Sequence, residues 1–126
     1  MAAPHLAADT DRAVALTRLF IEALNARDLD GLQALVDDDV EFRNVSGGRS
    51  LRGREALERI VRAAAEARLS LVRRDGEEVT SRDAVVRIAV PVIEMVGGAE
   101  VHGTATFEVR DDKIAAFEVS SELLRR

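Results

Sequence analysis

Few side chains in this chain of 126 residues could perform acid–base or nucleophilic chemistry. The only two histidines are His5 and His102, and there is no cysteine. Thiolate nucleophiles, disulfides and cysteine-ligated zinc are therefore excluded, and so is a histidine-rich metal site. Any catalysis would depend on carboxylates, amides or hydroxyls, and we predict neither a metal nor a cofactor.

Two short motifs could bind ions, but their surroundings argue against it. Asp37-Asp38-Asp39 offers three carboxylates, yet it follows a predicted helix and precedes a predicted strand, with no second cluster of ligands. A solvated turn is therefore favoured over a metal loop. The flexible loop predicted at residues 46–50 contains Gly47-Gly48 but lacks the Gly-Lys-Ser/Thr that completes a P-loop.

Composition and charge narrow the class of protein. Hydrophobic residues make up 47% and charged residues 33%, which is the balance of an ordinary globular domain. The net charge of −5 argues against nucleic acid as a partner, because such binding uses clustered positive charge. No apolar run approaches the roughly 20 residues of a membrane helix, so no membrane partner is expected. Residues 1–8 lack the features of a secretory signal; we predict a tail there, a single domain at residues 9–126 and a cytoplasmic location.

Hydrophobic spacing predicts three helices before the main run of strands. The first begins between Asp9 and Asp11 and buries one face, and Asp28-Leu29-Asp30-Gly31 ends it and caps a short second helix. Residues 54–68 form the third helix. The apolar face of the first helix comprises Leu16, Leu19, Phe20, Ala23 and Leu24.

Alternating residues predict a short strand at residues 40–45 and an antiparallel meander after the third helix. The meander strands are Leu69–Thr80, with a bulge or bend at Asp75-Gly76, then Asp83–Val96, Ala99–Arg110 and Ile114–Glu122. Three helices followed by a run of strands predict an α+β domain with its helices on one side of the sheet.

The Gly97-Gly98 pair predicts a two-residue hairpin turn, because glycine accepts the positive φ that both central positions need. Val96 would then oppose Ala99, and paired residue numbers would sum to 195. On one face of this hairpin, the pairs from Val92 with Gly103 to Val86 with Val109 are all apolar or small, so this face is predicted to be buried. The other face places Arg87 opposite Glu108, which is a favourable pair of charges. For the next hairpin, a three-residue turn through Lys113 is preferred to a two-residue turn, since it sets Phe117 opposite Phe107 on the buried face.

Several segments together resemble the start of a SnoaL-like domain, in the ketosteroid-isomerase and nuclear-transport-factor-two superfamily. They are Ala23–Leu32, Val40-Glu41-Phe42 and Leu51-Arg52-Gly53-Arg54-Glu55, and they read as a long helix, a tight break, a short helix, a strand and a glycine-bearing loop. The resemblance extends from about Asp11 to about Leu123. It implies a curved antiparallel sheet wrapped around the N-terminal helices, in a cystatin-like cone with an apolar interior.

The catalytic residues of related families do not carry over to this chain. Ketosteroid isomerases use a tyrosine and two carboxylates at positions that correspond here to Phe20, Asn44 and Ala105, so that mechanism is disfavoured. Phe42-Arg43-Asn44 looks like the aromatic-x-Asn segment with which limonene epoxide hydrolases hold the attacking water. The Asp-Arg-Asp set of that family is missing, because the inward sheet positions here are apolar.

Within such a cone, the predicted register brings all four aromatic residues around one cavity. A packed core is the alternative interpretation, since phenylalanine alone does not distinguish the two. Val119 lies on the same inward face, and Ser121, opposite Gly103, could donate a hydrogen bond. The predicted ligand-binding residues are Phe20, Phe42, Phe107, Phe117, Val119 and Ser121.

Two polar residues are predicted near this cavity and are the candidate catalytic groups. Asn44 shares the strand face of Phe42, although it could instead cap the strand end. Glu94 pairs with Val101 at the mouth of the cavity, where apolar surroundings would raise its pKa and suit it to general acid–base work. The alternative for Glu94 is a solvated side chain.

His102 falls on the outer face of the sheet, beside Ile93 and Thr104. Related domains commonly dimerise through that face, so a homodimer interface is favoured over catalysis. Two functions remain open. The first is an enzyme that isomerises, cyclises or hydrates a small apolar metabolite, and the second is a domain that only binds a ligand or dimerises.

Overall fold

The computed structural model describes residues 3–44 and 50–119. The elements in this part of the chain are α1 (Ala3–Asn25), α2 (Leu29–Leu35), β1 (Val36–Asn44), β2 (Ser50–Arg52), α3 (Ala56–Glu66), β3 (Leu69–Arg73), β4 (Glu78–Arg82), β5 (Val85–Val96), β6 (Ala99–Arg110) and β7 (Lys113–Val119).

The seven strands form one open curved sheet in the order β2-β1-β7-β6-β5-β3, with β4 also paired to β5. Neighbouring strands are antiparallel except β1 and β7, which run parallel. One face of the sheet packs with the helices into a single cluster of buried apolar side chains. The predicted α+β class and curved sheet are confirmed.

The register predicted for the central hairpin is confirmed at every pair, from Val96 with Ala99 to Val86 with Val109. Gly97 and Gly98 have φ values of 57° and 92°, so both occupy the left-handed region that a tight hairpin turn requires. The predicted pair of Arg87 and Glu108 is also present, with Nη1 of the arginine 3.3 Å from Oε2 of the glutamate.

The β6–β7 hairpin combines both predicted alternatives. Arg110 pairs with Lys113 across a two-residue turn, but Glu108 pairs with Ala116, and the register shifts between Glu108 and Val109. One extra residue in β7 therefore acts as a bulge. The bulge restores the preferred register for the rest of the strand, in which Phe107 faces Phe117.

The first helix begins at Ala3 and not between Asp9 and Asp11. The prediction was wrong because it looked for a capping side chain, whereas the preceding residues are rich in alanine, the strongest helix former. Pro4 does not oppose this start, since proline is tolerated in the first turn of a helix. Whether residues 1–8 act as a tail stays a prediction.

Three further boundaries differ from the predictions. Asp37-Asp38-Asp39 belongs to β1 and is not a turn, although all three residues are exposed as expected, and the pairing of β1 with β7 is irregular between Val36 and Glu41. The predicted strand 69–80 is divided into β3 and β4 around the predicted bend. Strand β2 was not predicted; it has only three residues, too few to show a period.

The break between α1 and α2 is confirmed. Asp28 caps α2, and its Oδ1 accepts a hydrogen bond of 3.0 Å from the backbone N–H of Gly31. A Cβ on Gly31 would lie 2.4 Å from Oδ2 of Asp28. The close approach of the capping carboxylate therefore requires glycine at this position.

Two side chains at the end of α1 fasten the helix to the sheet. The amide of Asn25 donates to the carbonyl of Leu71 at 2.9 Å and accepts from its N–H at 2.8 Å. Leu71 lies in the edge strand β3, so the amide takes the place of a neighbouring strand. The guanidinium of Arg27 donates to the carbonyls of Leu24, Ala64 and Leu69, which belong to α1, α3 and β3. These contacts satisfy backbone groups that would otherwise lack partners.

The first prediction concerns the two hydrogen bonds between Asn25 and the backbone of Leu71. Asn25→Ala should lower the free energy of unfolding by about 1–2 kcal/mol, because two backbone groups of Leu71 lose their partners. Urea unfolding followed by far-UV circular dichroism measures the change. Glu22→Ala, an exposed position on the same helix, is the matched control and should stay within about 0.5 kcal/mol of the parent. Equal losses in the two variants would contradict the role assigned to Asn25.

Candidate functional site

The four phenylalanines converge inside the curved sheet, as predicted. Their ring centroids are separated by 4.9 Å between Phe20 and Phe117, 5.0 Å between Phe107 and Phe117, and 5.5 Å between Phe20 and Phe107. Phe42 lies 6.4 Å from Phe117. These are the separations of favourable edge-on and tilted aromatic pairs.

Strand order explains the convergence. Strand β7 lies between β1 and β6, and Phe117 is paired with Phe42 on one side and Phe107 on the other. Phe20 meets them from α1. All four rings are completely buried, and each contacts Phe117 or is Phe117 itself, so at this level the interior is packed. Their role as walls of a ligand pocket stays a prediction.

The inward row of β5 leads from these rings to an acid. Ile88, Val90, Val92 and Glu94 share one face of the strand and are all buried. Glu94 pairs with Val101 as predicted, but its side chain is only 1% exposed. The alternative of a solvated side chain was therefore wrong, and the position of Glu94 at the mouth of a cavity stays a prediction. Strand β3 covers the far side of β5 at this point, with Leu71 paired to Glu94.

Val101 shows where the inward face meets solvent. It is 46% exposed, although it shares the inward face of β6 with the buried Ala105 and Phe107. Inward residues of β6 also become smaller toward this end, from Phe107 through Ala105 to Gly103. The inward face therefore meets solvent at the end of the sheet that carries Glu94. We call it the open end, defined by Glu94, Val101 and Leu71.

Asn25 and Arg27, at the end of α1, position the open end through their hydrogen bonds to β3. Asn25 holds the backbone of Leu71, and Leu71 is the direct neighbour of Glu94 across the β3–β5 ladder. Arg27 adds the bond to Leu69 two residues away. Sequence reasoning missed both residues. The available signal was a pair of polar side chains at a helix end, where carbonyl groups need partners.

The remaining predicted site residues are placed in part. Asn44 pairs with Val119, and Val119 is buried and pairs with Ala105. The side chain of Asn44, and the whole of Ser121, lie outside the part of the chain that the structure describes. Their predicted roles stay predictions.

Thr17 is a buried polar residue that sequence reasoning did not identify. Its hydroxyl donates to the carbonyl of Val14, three residues earlier in α1, at 2.7 Å. In the described residues, Thr17 and Glu94 are the only polar side chains in the buried set. Because the Thr17 hydroxyl serves the helix backbone, Glu94 is the one ionisable side chain in that buried set.

His102 lies on the outer face of the sheet, as predicted, and is exposed. Nη1 of Arg74 is 3.2 Å from Nδ1 of His102. A guanidinium only donates hydrogen bonds, so Nδ1 of His102 would be the acceptor in this contact. Ile93 pairs with His102 and is partly buried, and Thr104 is exposed.

Charged side chains occupy the other half of the outer face. Arg43 lies 3.0 Å from Glu41 and 3.3 Å from Glu108, and Arg87 lies 3.3 Å from the same oxygen of Glu108. Partial burial alone would lower the pKa of Arg43, but the hydrogen bonds and negative charges of Glu41 and Glu108 outweigh it and raise that pKa above its ordinary value. Arg43 is therefore a permanent cation at the centre of this network.

Within residues 3–44 and 50–119, no group of three histidine, aspartate or glutamate side chains is arranged to hold a metal ion. The same residues contain no helix long and apolar enough to span a bilayer.

Sequence comparison identifies one family. The model of the SnoaL-like domain matches residues 16–117. No curated protein sequence matches the chain.

Solved structures share the fold. A candidate polyketide cyclase from Xanthomonas campestris is 24% identical, with 87% of this chain and 90% of that chain covered and a TM-score of 0.66. A candidate aromatic ring hydroxylase from Novosphingobium aromaticivorans is 18% identical, with 88% and 87% covered and a TM-score of 0.75. An LEH-like epoxide hydrolase from M. tuberculosis is 23% identical, with 88% and 83% covered and a TM-score of 0.65. Identities this low establish the fold and not the reaction.

The second prediction concerns the ring cluster. Phe117 contacts three rings and Phe42 contacts one. Phe117→Leu should therefore destabilise the protein by about 1–3 kcal/mol more than Phe42→Leu, since each aromatic pair contributes about 0.5–1.5 kcal/mol beyond its buried area. Thermal and urea unfolding of both variants measures the difference. Equal losses of stability in Phe117→Leu and Phe42→Leu would contradict a contribution from the ring contacts.

Proposed function

This chain belongs to the SnoaL-like domain family, and on that premise we propose that it binds a small apolar molecule at the open end and transfers a proton through Glu94. The observation that carries the proposal is the burial of Glu94 at the end of an apolar row, beside an inward residue that reaches solvent. A ligand entering there would contact the carboxyl group of Glu94 and otherwise apolar side chains.

A single buried carboxyl group suits reactions in which one group takes a proton and returns it. A carboxyl group removed from water holds its proton to higher pH than an exposed one, and general acid–base catalysis works best when that pKa approaches the working pH. Isomerisation of a carbonyl compound breaks a C–H bond next to the carbonyl and returns the proton to another carbon. Aldol-type cyclisation breaks the same C–H bond, forms a C–C bond in its place and gives the proton to the oxygen of the attacked carbonyl. One carboxyl group that takes and returns a proton could serve either reaction. The proposed reaction class is therefore isomerisation or cyclisation, with hydration as the alternative.

Asn44 is proposed as the polar group that orients the ligand. It follows Phe42 on the same side of β1, and its strand neighbour Val119 is buried. An amide at that level could donate to a carbonyl oxygen or hold a water molecule. Phe107, Phe117 and Val119 would form the apolar end of the site.

A non-catalytic role is the second candidate. It is favoured by one observation: besides Glu94, the buried side chains of the described residues offer no second proton-transfer group. Such a domain would bind the same apolar molecule without converting it.

We also propose a homodimer formed through the outer face. Val72 pairs with Ile93, and Ile93 pairs with His102, so one row across three strands presents two aliphatic side chains and an imidazole. Val72 is 48% exposed. A second copy would cover this row by self-complementary contact.

The third prediction tests proton transfer with a defined probe. Cyclohexanone in D2O exchanges its α-hydrogens when a base removes them, and NMR follows the loss of the signal. The protein should accelerate this exchange, and Glu94→Gln should reduce the acceleration by about 10²–10⁴-fold. Glu100→Gln, at an exposed position on the neighbouring strand, is the control and should keep it. Asn44→Ala should weaken binding of the ketone more than it slows exchange.

The outcomes separate the two functions. Exchange that survives Glu94→Gln would contradict the role of that carboxyl group. A protein that binds the ketone, or carries an apolar compound in native mass spectrometry, without accelerating exchange would be the non-catalytic binder.

The fourth prediction tests the dimer. Sedimentation equilibrium should give twice the mass of 13.7 kDa for the parent and the single mass for Ile93→Arg, because a buried guanidinium facing its copy is costly. Glu66→Arg introduces the same side chain at an exposed position on α3 and should leave the mass doubled. A parent that sediments as a monomer would contradict the proposal.

A further inference from the structure

A second concave surface lies on the outer side of the sheet, away from Glu94. It is an open depression of about 710 Å³ where β4, β5 and β6 run side by side. Three of its residues are arginines and two are hydroxyl residues. The lining is Thr80, Ser81, Arg82, Asp83, Val85, Arg87, Glu108 and Arg110.

Strand register explains why three arginines meet here. Arg87 pairs with Thr80 on β4 and with Glu108 on β6, and these residues form one row across three strands. Arg82 pairs with Val85, and the following pair of Val86 with Val109 places Arg110 level with Val85 in the next row.

The spacing of these rows allows the three guanidinium groups to share one ligand. Strands are separated by about 4.8 Å and residues on one face by about 7 Å along a strand. The backbones of Arg82 and Arg110 are therefore about 10 Å apart, and that of Arg87 is centred between them one row away. Long arginine side chains can converge from these positions over the small floor that Val85 provides.

Arg82 and Arg110 have N–H donors available to bind a ligand, whereas Arg87 is already paired with Glu108. Glu108, the partly buried acid of the depression, already accepts from both Arg43 and Arg87 through the same oxygen. Arg82 is 3.9 Å from Asp83, and both side chains are almost fully exposed. In the described part of the chain, no carboxylate lies within 4 Å of the guanidinium of Arg110.

We propose that this depression binds the phosphate group of a small molecule. Arg82 and Arg110 would bind the phosphate oxygens with their planar guanidinium groups, and Thr80, which pairs with Arg87 on the outer face, would add a hydroxyl donor. Arg87, already held by Glu108, would contribute charge from a fixed position. The chain carries a net charge of −5, so binding of an anion here depends on this local arrangement and not on the field of the whole protein.

The fifth prediction uses inorganic phosphate and glycerol 3-phosphate as separate probes. Titration of the ¹⁵N-labelled full chain at low salt should shift the amide signals of Thr80–Arg82 and Arg110 and saturate at one site. Arg110→Ala should weaken binding at least tenfold, as expected for a charged hydrogen-bonding partner. Arg110→Lys should restore part of it, since charge remains but the fork is lost. Tighter binding of glycerol 3-phosphate than of phosphate would identify an organic phosphate ester as the ligand class.

Arg62→Ala is the matched control, because it removes an exposed arginine from α3 whose partner is Glu58. It should leave the affinity unchanged. Non-saturating shifts, or an equal loss in Arg62→Ala and Arg110→Ala, would overturn the proposal and leave only general attraction of anions. The dispersion of the amide spectrum shows that each variant is folded, so lost binding is not confused with lost structure.

Discussion

The alternation of side chains across the β5–β6 hairpin is the constraint on which the rest of the structure depends. Two adjacent glycines hold the turn in a conformation that other residues rarely adopt, and the register of eleven residue pairs follows from it. Because side chains alternate between the two faces, a slip of one residue would exchange them. The same register that buries Phe107 and Glu94 on one face puts Arg87 and Arg110 on the other. Both proposed sites therefore depend on one turn.

The two faces solve different physical problems. The inner face is hydrocarbon with a single acid, and removing an acid from water lowers stability compared with an apolar side chain of similar volume. A valine at Glu94 would continue the row of Val90 and Val92, and the proposed proton transfer would account for the glutamate in its place. The outer face is crowded with charges that remain partly hydrated, where each ion pair contributes little by itself. Their arrangement is more informative about recognition than about stability.

Local patterns predicted the parts of the fold that local chemistry controls. The Gly97-Gly98 turn and the cap at Asp28 were readable from spacing, and the convergence of the four rings followed from the register together with the resemblance to a cone-shaped fold. The bulge in β7 was not predicted. A two-residue turn and an inward-facing Phe117 are both favourable, but they require registers that differ by one residue, and only an extra residue in β7 allows both. Burial of Glu94 was missed for a different reason. It depends on Leu71, which comes from a strand 23 positions earlier, and on the helix end that holds it. The sequence therefore predicted which residues belong to the candidate site and which face of the sheet they occupy, but not how deeply Glu94 is buried.

The parallel pairing of β1 with β7 also has a consequence for how the chain acquires its shape. These strands are separated by most of the sequence, yet they lie side by side in the sheet. Arg12 likewise forms an ion pair with Asp112, which lies 100 positions later. During synthesis, β1 leaves the ribosome long before β7 exists. Until then, the helices must cover the apolar side of β1. Closing so long a loop is entropically costly and slow. Until β7 emerges, one edge of β1 has no strand to pair with, and unpaired strand edges promote aggregation of incompletely folded chains.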